Sequence, residues 1–388
     1  MTEAAANPSF DSQTFDTQCM AEALQLARRG LYSTSPNPRV GCVLVRDGNI
    51  IGRGWHERAG EPHAEIYALK DARKNAGEFG PQGATAYVTL EPCAHHGRTP
   101  PCCEALAAAG VARVVTAMRD PNPLVAGKGL DYLRNAGIAV ESGVLESEAR
   151  ELNRGFISRM ERGRPWVRVK LAMSLDGRTA MASGESQWLT GIAARSDVQR
   201  LRAQSCAIIS GVESVLADNS ALSVRASELG LPDAETTAWR QPLRVVLDSK
   251  LRLHSPARIF AQPGPLMVAT INDEQKRWET IVDAGAQILH LPENDGRVDL
   301  MALMNWLTQQ QCNEVMVEAG PTLAGAFLRA GLVDWLTIYM APTLLGSSAR
   351  PLFDLPLEKM REQKRLDIRD IRAVGNDWRI DAELIKPN

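Results

Sequence analysis

The chain has 388 residues, room for two or three ordinary domains, and its 44% apolar and 23% charged residues exclude wholesale disorder. Forty-four Lys and Arg against 46 Asp and Glu leave a net charge of −2. That balance argues against a protein living on nucleic-acid phosphates and points to a small-molecule partner. No run approaches the ~18 apolar residues of a membrane span. The first 18 residues carry Glu3, Asp11 and Asp16 but no Lys or Arg, unlike a secretory leader. Seven cysteines, an odd number in a long chain, fit a reducing cytosol better than a disulfide framework.

In chain order, residues 17–30 are rich in Ala and Leu and end in Gly30, a helix stop. Residues 40–55 read as a hairpin turning at Asp47-Gly48. Pro62 opens a helix that begins His63-Ala64-Glu65. A strand over 85–90, a Cys/His-rich loop, a helix over 102–110, a strand over 112–118, a helix over 129–137 and a strand over 138–140 follow. A helix from about 146 to 162 ends at Gly163-Arg164-Pro165, where the spacing predicts a domain boundary. The second half alternates again. Strands are predicted over 166–173, 207–211, 243–248, 266–270, 287–291 and 314–320, helices over 194–204, 274–285 and 299–311, and paired strands over 333–342 and 366–385. Both halves therefore read as α/β, with mostly parallel sheets covered by helices. The expected organisation is an N-terminal flexible segment 1–16, one domain over 17–163 and another over 164–388.

The strongest chemical signal is local. Four of the six histidines (His56, His63, His95, His96) and three of the seven cysteines (Cys93, Cys102, Cys103) fall between residues 56 and 103. A catalytic zinc uses three Cys or His ligands and keeps one position for water, whose pKa it lowers to about 7. A carboxylate that moves the proton stands beside the metal without binding it. His63-Ala64-Glu65 followed by Pro92-Cys93 matches the His-x-Glu…Pro-Cys pattern of zinc deaminases of bases. The usual continuation, Cys-x-x-Cys, is absent, because His96 stands where the second Cys belongs. Spacing alone leaves His95, His96, Cys102 and Cys103 as candidates for the third ligand. A closed four-ligand zinc knuckle would give Glu65 no task.

The run 89–102, Thr-Leu-Glu-Pro-Cys-Ala-His-His-Gly-Arg-Thr-Pro-Pro-Cys, resembles the deaminase motif of the bifunctional pyrimidine deaminase/reductase family of riboflavin biosynthesis. Residues 36–45, 54–65 and 120–129 extend the resemblance. It implies His63, Cys93 and Cys102 as zinc ligands, Glu65 as proton shuttle, Cys103 as a bystander and His95 on the pocket wall. Asn37 and Asn122 carry amides suited to reading a pyrimidine edge.

The second half has no G-x-G-x-x-G and no P-loop. The stretches 170–180, 184–191, 211–222 and 317–328 are similar to the reductase domain of the same family. The resemblance implies a cytidine-deaminase-like three-layer α/β/α domain followed by a dihydrofolate-reductase-like α/β domain. It places Ala172, Trp188, Ser214, Asp218, Ser249 and the loop of Gly320, Pro321, Thr322, Leu323, Ala324, Gly325 and Ala326 on NADPH. It places Ser186, Arg202, Leu222, Arg225 and Glu318 on the substrate, with Lys170 helping to arrange the ribose. Arg202, Arg225 and Ser186 have the donors a ribosyl phosphate needs. Ser220 departs from the family's Pro, and Ser214 replaces a Thr while keeping the hydroxyl.

The implied activity is zinc-dependent hydrolytic deamination of 2,5-diamino-6-(5-phosphoribosylamino)pyrimidin-4(3H)-one. NADPH-dependent reduction of the ribosyl group of the product to ribityl follows. The partners are small pyrimidine ribonucleotides, with no nucleic acid and no membrane, and the family resemblance implies a homodimer or homotetramer. The rival reading is a nucleic-acid-editing zinc deaminase with an accessory domain, which the charge disfavours.

Overall fold

The computed structural model describes residues 12–75, 77, 80–94, 100–123 and 125–385. The chain divides into two compact units, Met1–Arg162 and Gly163–Asn388.

In the first unit the elements run α1 (Ser12–Arg28), β1 (Gly41–Arg46), β2 (Asn49–Trp55), α2 (Ala64–Asn75), β3 (Thr85–Val88), α3 (Cys102–Ala108), β4 (Arg113–Thr116), α4 (Lys128–Asn135), β5 (Ala139–Ser142), α5 (Glu146–Leu152) and α6 (Arg154–Arg162). The sheet order is β2-β1-β3-β4-β5. β1 is antiparallel to both neighbours, while β3, β4 and β5 are parallel. The β1–β2 turn has positive φ at both Asp47 (53°) and Gly48 (75°), as a two-residue hairpin turn requires. Alternate strand residues feed two cores. Val43, Val45, Tyr87 and Val115 pack with Met20, Ala23, Phe156 and Ile157 on one face. Cys42, Leu44, Ala86 and Val114 pack with Ala68, Leu106 and Leu133 on the other.

Two expectations change here. α1 starts at Ser12 rather than Thr17, so residues 12–16 are helical and not a loose tail. The reason is Asp16, buried in that first stretch, which accepts both Arg113 guanidinium nitrogens (2.9 and 2.6 Å) and the Tyr87 hydroxyl (2.6 Å). The single helix expected over 146–162 is two. It breaks at Asn153, whose side-chain oxygen accepts from Arg39 N and whose amide donates to Arg39 O. A side chain satisfying another segment's backbone there outweighs helix continuity.

In the second unit the elements are β6 (Trp166–Ser174), β7 (Arg178–Ala180), α7 (Ile192–Gln204), β8 (Ala207–Gly211), α8 (Val212–Asp218), α9 (Ala226–Leu229), α10 (Ala234–Trp239) and β9 (Leu243–Leu247). They continue with β10 (Leu266–Thr270), α11 (Gln275–Asp283), β11 (Gln287–His290), β12 (Glu293–Asn294), β13 (Arg297–Val298), α12 (Leu300–Gln309) and β14 (Glu314–Glu318). The last are α13 (Pro321–Arg329), β15 (Trp335–Ala341), β16 (Arg350–Pro351), β17 (Leu366–Val374) and β18 (Asp377–Leu384). Nine strands form one sheet in the order β11-β10-β9-β8-β14-β6-β15-β18-β17. It is parallel from β11 to β15 and antiparallel across the last two pairs. From β8 the chain steps outward through β9, β10 and β11, then returns to insert β14 beside β8. That reversal makes the carboxyl ends of β8 and β14 the place where an open α/β sheet leaves a crevice.

Candidate active sites

In the first unit, Gly54 of β2 lies against α2, where a Cβ would stand 2.2 Å from Ala64 O. The absent side chain lets α2 press onto the sheet and aims its start at the β3 end. His63 sits just ahead of the helix, its carbonyl accepting from Ile66 N (3.1 Å) and Tyr67 N (3.3 Å). Cys93 follows β3 in a loop, and Cys102 is the first residue of α3. The ligand atoms of His63, Cys93 and Cys102 lie within 4.8 Å of one another, and among the described residues this is the group of His, Cys and carboxylates that could hold a metal ion. His63 Nδ1 is 3.6 Å from Cys93 Sγ and 3.3 Å from Cys102 Sγ. The Cys93 thiol is pulled down to about 4, first by hydrogen bonding from Cys102 and then by His63. A donor already biased toward thiolate is what zinc requires. Two thiols and an imidazole converging from three segments fit a three-ligand zinc.

Of the alternatives that spacing left open, Cys102 and Cys103 separate by helix geometry. Successive helical residues point 100° apart. Cys102 turns to His63, while Cys103, 1% exposed, turns into the core with Leu106 and Val111. Cys102→Ser is therefore expected to strip zinc and deaminase activity together, and Cys103→Ser to keep both. Metal analysis of the two purified variants checks this, and zinc loss from Cys103→Ser would reverse the assignment.

Glu65 is 3% exposed, and burial pushes its carboxyl up to about 7. The His63 imidazole, and more weakly the Cys102 thiol, pull it back down, so it acts beside the ligand cluster without being one of the three. Asn37 Nδ2 donates to His56 Nε2 (3.1 Å), so His56 Nδ1 carries its proton and donates to Pro62 O (3.1 Å). The His56 ring meets His63 edge-on at 5.3 Å. Burial keeps His56 below its ordinary pKa and therefore neutral, as that bond pattern needs. Asn122 stands in a turn where its N–H donates to Asp120 Oδ1 and its carbonyl accepts from Val125 and Ala126. His95 and His96 lie outside the described residues.

Two residues of this site escaped the sequence reading. His56 was visible only as one of the clustered histidines. Glu91, from the same Glu-Pro-Cys motif, is buried, and its carboxylate accepts from the backbone N–H groups of Asp120, Gly127, Gly129 and Leu130. It thereby ties the Cys93 loop to the start of α4. Gly129 is obligatory there, because a Cβ would stand 1.9 Å from Pro92 O.

In the second unit a cleft of ≈1470 Å³ follows the carboxyl ends of the strands. Lys170, Ala172, Ser186, Trp188, Arg202, Ser214, Asp218, Leu222, Arg225, Ser249, Glu318, Gly320, Pro321, Thr322, Leu323 and Ala326 all line it. Ala324 and Gly325 do not. The expected loop becomes helix α13 from Pro321 onward, and those two residues face inward, Gly325 so tightly that a Cβ would stand 2.1 Å from Asp354 O. The turn into α13 is pinned by hydroxyls: Gly320 N donates to Ser214 Oγ (2.9 Å), and Ser210 Oγ donates to Glu318 O (2.8 Å). Ser186 Oγ donates to Asp218 Oδ1 (2.8 Å).

Arg202 lines the cleft and is already engaged by the protein. It is 8% exposed, grips both oxygens of Glu318 (3.0 and 2.8 Å) and donates its remaining Nη to Ser223 O (3.0 Å). Three of its five N–H groups are thus taken by protein oxygens, and through them it orders Glu318. Lys170 Nζ lies 3.9 Å from Glu318 Oε1 on the other side. Arg225, by contrast, pairs through Nε and Nη2 with the half-exposed Glu228 and keeps Nη1 outside that pair.

Residues 13–118 match the family described as cytidine and deoxycytidylate deaminase zinc-binding region, and residues 165–380 match the RibD C-terminal domain. The riboflavin biosynthesis protein RibD of Escherichia coli K12 is 55% identical over 369 residues, 93% of this chain and 97% of that protein. The chain belongs to the RibD family. RibD of Haemophilus influenzae is 47% identical, covering 96% of this chain and 97% of its own. The solved RibD of Acinetobacter baumannii (form 1) superposes with a TM-score of 0.88 at 49% identity, over 96% of this chain and all of that one. The Thermotoga maritima diaminohydroxyphosphoribosylaminopyrimidine deaminase/5-amino-6-(5-phosphoribosylamino)uracil reductase does so with a TM-score of 0.83 at 31% identity, over 96% and 100%. The protein is thus a bifunctional deaminase and reductase of riboflavin biosynthesis, with a cytidine-deaminase-like unit followed by a reductase unit. The match of both halves to one family leaves the nucleic-acid-editing reading without support. Among the described residues no helix is long and apolar enough to cross a membrane.

Proposed function

We propose that the first unit deaminates 2,5-diamino-6-(5-phosphoribosylamino)pyrimidin-4(3H)-one and that the second reduces the ribosyl group of the deaminated product to ribityl. The observation that carries the first half is the convergence of His63, Cys93 and Cys102 with Glu65 buried beside them. His63, Cys93 and Cys102 would hold the zinc, which when bound would acidify a water. Glu65 would take one proton from the attacking water and give it to the ring nitrogen as the C–O bond forms, then take the proton of the new hydroxyl and give it to the amine, so that the C–N bond breaks and ammonia leaves. Its burial favours that work, since a carboxyl near neutrality both takes and gives a proton at pH 7. Asn37, fixed by His56, offers its remaining amide capacity to the pyrimidine edge, and Asn122 and His95 complete the binding set.

In the second unit NADPH supplies hydride. Backbone amides at the start of α13, with Gly320 fixed by Ser214, suit its diphosphate. Ala172, Trp188, Asp218 and Ser249 complete the cofactor set. Lys170 is mostly buried, and burial lowers its pKa against the pull of Glu318. It would give a proton to the ribose ring oxygen as that C–O bond breaks and the nitrogen lone pair forms the C1′=N bond, leaving C1′ able to accept hydride. Arg202 holds Glu318, and Glu318 holds Lys170. The substrate phosphate falls to Arg225 and Ser186, with Leu222 packing against the base.

Mass spectrometry of products from the diamino nucleotide tests both halves. Without NADPH the product should lose one amine. With NADPH it should also gain two hydrogens. Reduction without prior deamination, or no deamination by zinc-loaded protein, would refute the reading.

None of the seven cysteines is in a disulfide, which fits a reducing cytosol. We also infer self-association through β17. That edge strand leaves Leu366, Ile368 and Ile371 40–55% exposed, beside Trp378 at 45%. The register puts Ile368 opposite Ala382 and Ile371 opposite Ile380, so these side chains share one face. An apolar face on an unpaired edge is the surface a second copy would cover. Ile368→Glu with Ile371→Glu should halve the mass seen by light scattering. An unchanged mass would locate the interface elsewhere.

A further inference from the structure

β6, β14, β8 and β9 are parallel neighbours, so their carboxyl ends stand along one edge, and the cleft follows that edge. In order, the edge presents Lys170 and Ala172, then Glu318 to Gly320, then Gly211 to Ser214, then Asp248 to Lys250. Three strand steps of ~4.8 Å separate β6 from β9, about 14 Å. A dinucleotide with its nicotinamide at β6 and its diphosphate at α13 therefore brings its second ribose to β9.

The groups at that end have a consistent character. Val298 N donates to Ser249 Oγ (3.2 Å), tying the β12–β13 hairpin to the end of β9. Lys250 follows Ser249, and Arg297 precedes Val298, so both flank this bond. Both line the cleft and are exposed, and among the described residues neither side chain has an ionic partner. Their basic neighbours are engaged, Arg252 with Glu213 (2.6 Å) and Arg277 with Glu274 (2.7 Å). Arg277 also donates to Lys250 O (2.9 Å), fixing the Lys250 backbone. A second feature points to a ribose. Asp248 is fully buried and lines the cleft. Its Oδ2 accepts from Leu253 N (2.7 Å), while its Oδ1 has no partner. A buried acceptor of that kind calls for a donor such as a sugar hydroxyl. The exposed acids on the hairpin are Asp295 at its tip and Glu293, whose Oε1 accepts from Gly296 N (3.1 Å).

We propose that Lys250 and Arg297 together read the 2′-phosphate of the dinucleotide and so set the preference for NADPH over NADH. This rests on the NADPH-dependent reduction proposed above. Two unpaired cations match a phosphomonoester dianion, which NADH lacks.

The test uses the full-length enzyme. Reduction with NADPH and with NADH is measured for the wild type, Lys250→Ala, Arg297→Ala, the double variant and Lys250→Arg, and binding of adenosine 2′,5′-bisphosphate and 5′-AMP by calorimetry. Each alanine variant should raise the NADPH KM and weaken the bisphosphate about 10- to 100-fold, the worth of one charge-assisted contact. NADH KM and 5′-AMP affinity should move little, and Lys250→Arg should restore most of the preference. Parallel loss for both dinucleotides, or an intact preference in the double variant, overturns the proposal while leaving the reductase reading in place. A wild type that reduces nothing with NADPH overturns both.

Discussion

Glu65→Gln should purify with its zinc and lose deamination by about 10²–10⁴-fold, the usual worth of a general acid–base group. The carboxyl is 3% exposed and lies against the ligand cluster, so the isosteric amide keeps the packing and the metal site. What it cannot keep is the proton, because an amide nitrogen is not a base. Metal analysis and steady-state deamination on the same sample separate the two roles. Full zinc with near-normal turnover would remove Glu65 from the proton path, and loss of zinc would make it a structural partner of the ligands. Reduction of supplied deaminated nucleotide should be unaffected, since the reductase groups lie beyond Gly163 in a unit with its own cores.

Arg202→Ala should destabilise the second unit by about 3 kcal/mol, the low end of what removing one partner of a buried ion pair costs. Glu318 would be left mostly buried, with Lys170 at 3.9 Å and the more distant Arg225 to offset its charge. Burial pushes the Glu318 carboxyl up, but Arg202 and then Lys170 outweigh it and hold it at about 2, against an ordinary 4.5. Its contribution to stability is therefore complete above the ordinary carboxylate range and is lost only as pH falls from there toward 2. In Arg202→Ala that loss should span a narrower pH range and be smaller, because its upper limit is the unfolded carboxyl's and only its lower limit rises. Denaturant unfolding of the intact chain across pH, followed by the transition that NADPH shifts, reads both effects. Arg202→Met with Glu318→Gln should recover much of the stability, because no buried charge is then stranded. Reduction should stay impaired in that double variant, since Lys170 loses its anchor. An Arg202→Ala protein of unchanged stability, with only a raised KM for the nucleotide, would return Arg202 to the substrate phosphate.

Periodicity and turn residues were enough to place most elements, because alternating and near-continuous apolar runs reflect burial on both faces of a covered sheet. His63, Glu65 and Cys93 were legible for a related reason: metal chemistry restricts residue type and local spacing at once. The residues alone did not separate Cys102 from Cys103. That choice depends on which way the first turn of α3 faces, and the packing of Cys103 beside Leu106 and Val111 sets it. Asn153 breaking a helix to serve Arg39, 114 residues earlier, was equally invisible, since no local pattern encodes a distant backbone partner. In the second unit, composition alone said only α/β, and resemblance supplied the site residues. The tertiary structure decided which of their donors the protein itself engages. Arg202 reads as a phosphate ligand by charge, yet the strand order sets β14 beside β8 and closes its fork on Glu318, 116 residues away. A sequence lists donors and charges; which of them remain free for a ligand is settled only when the chain has used the others to satisfy itself.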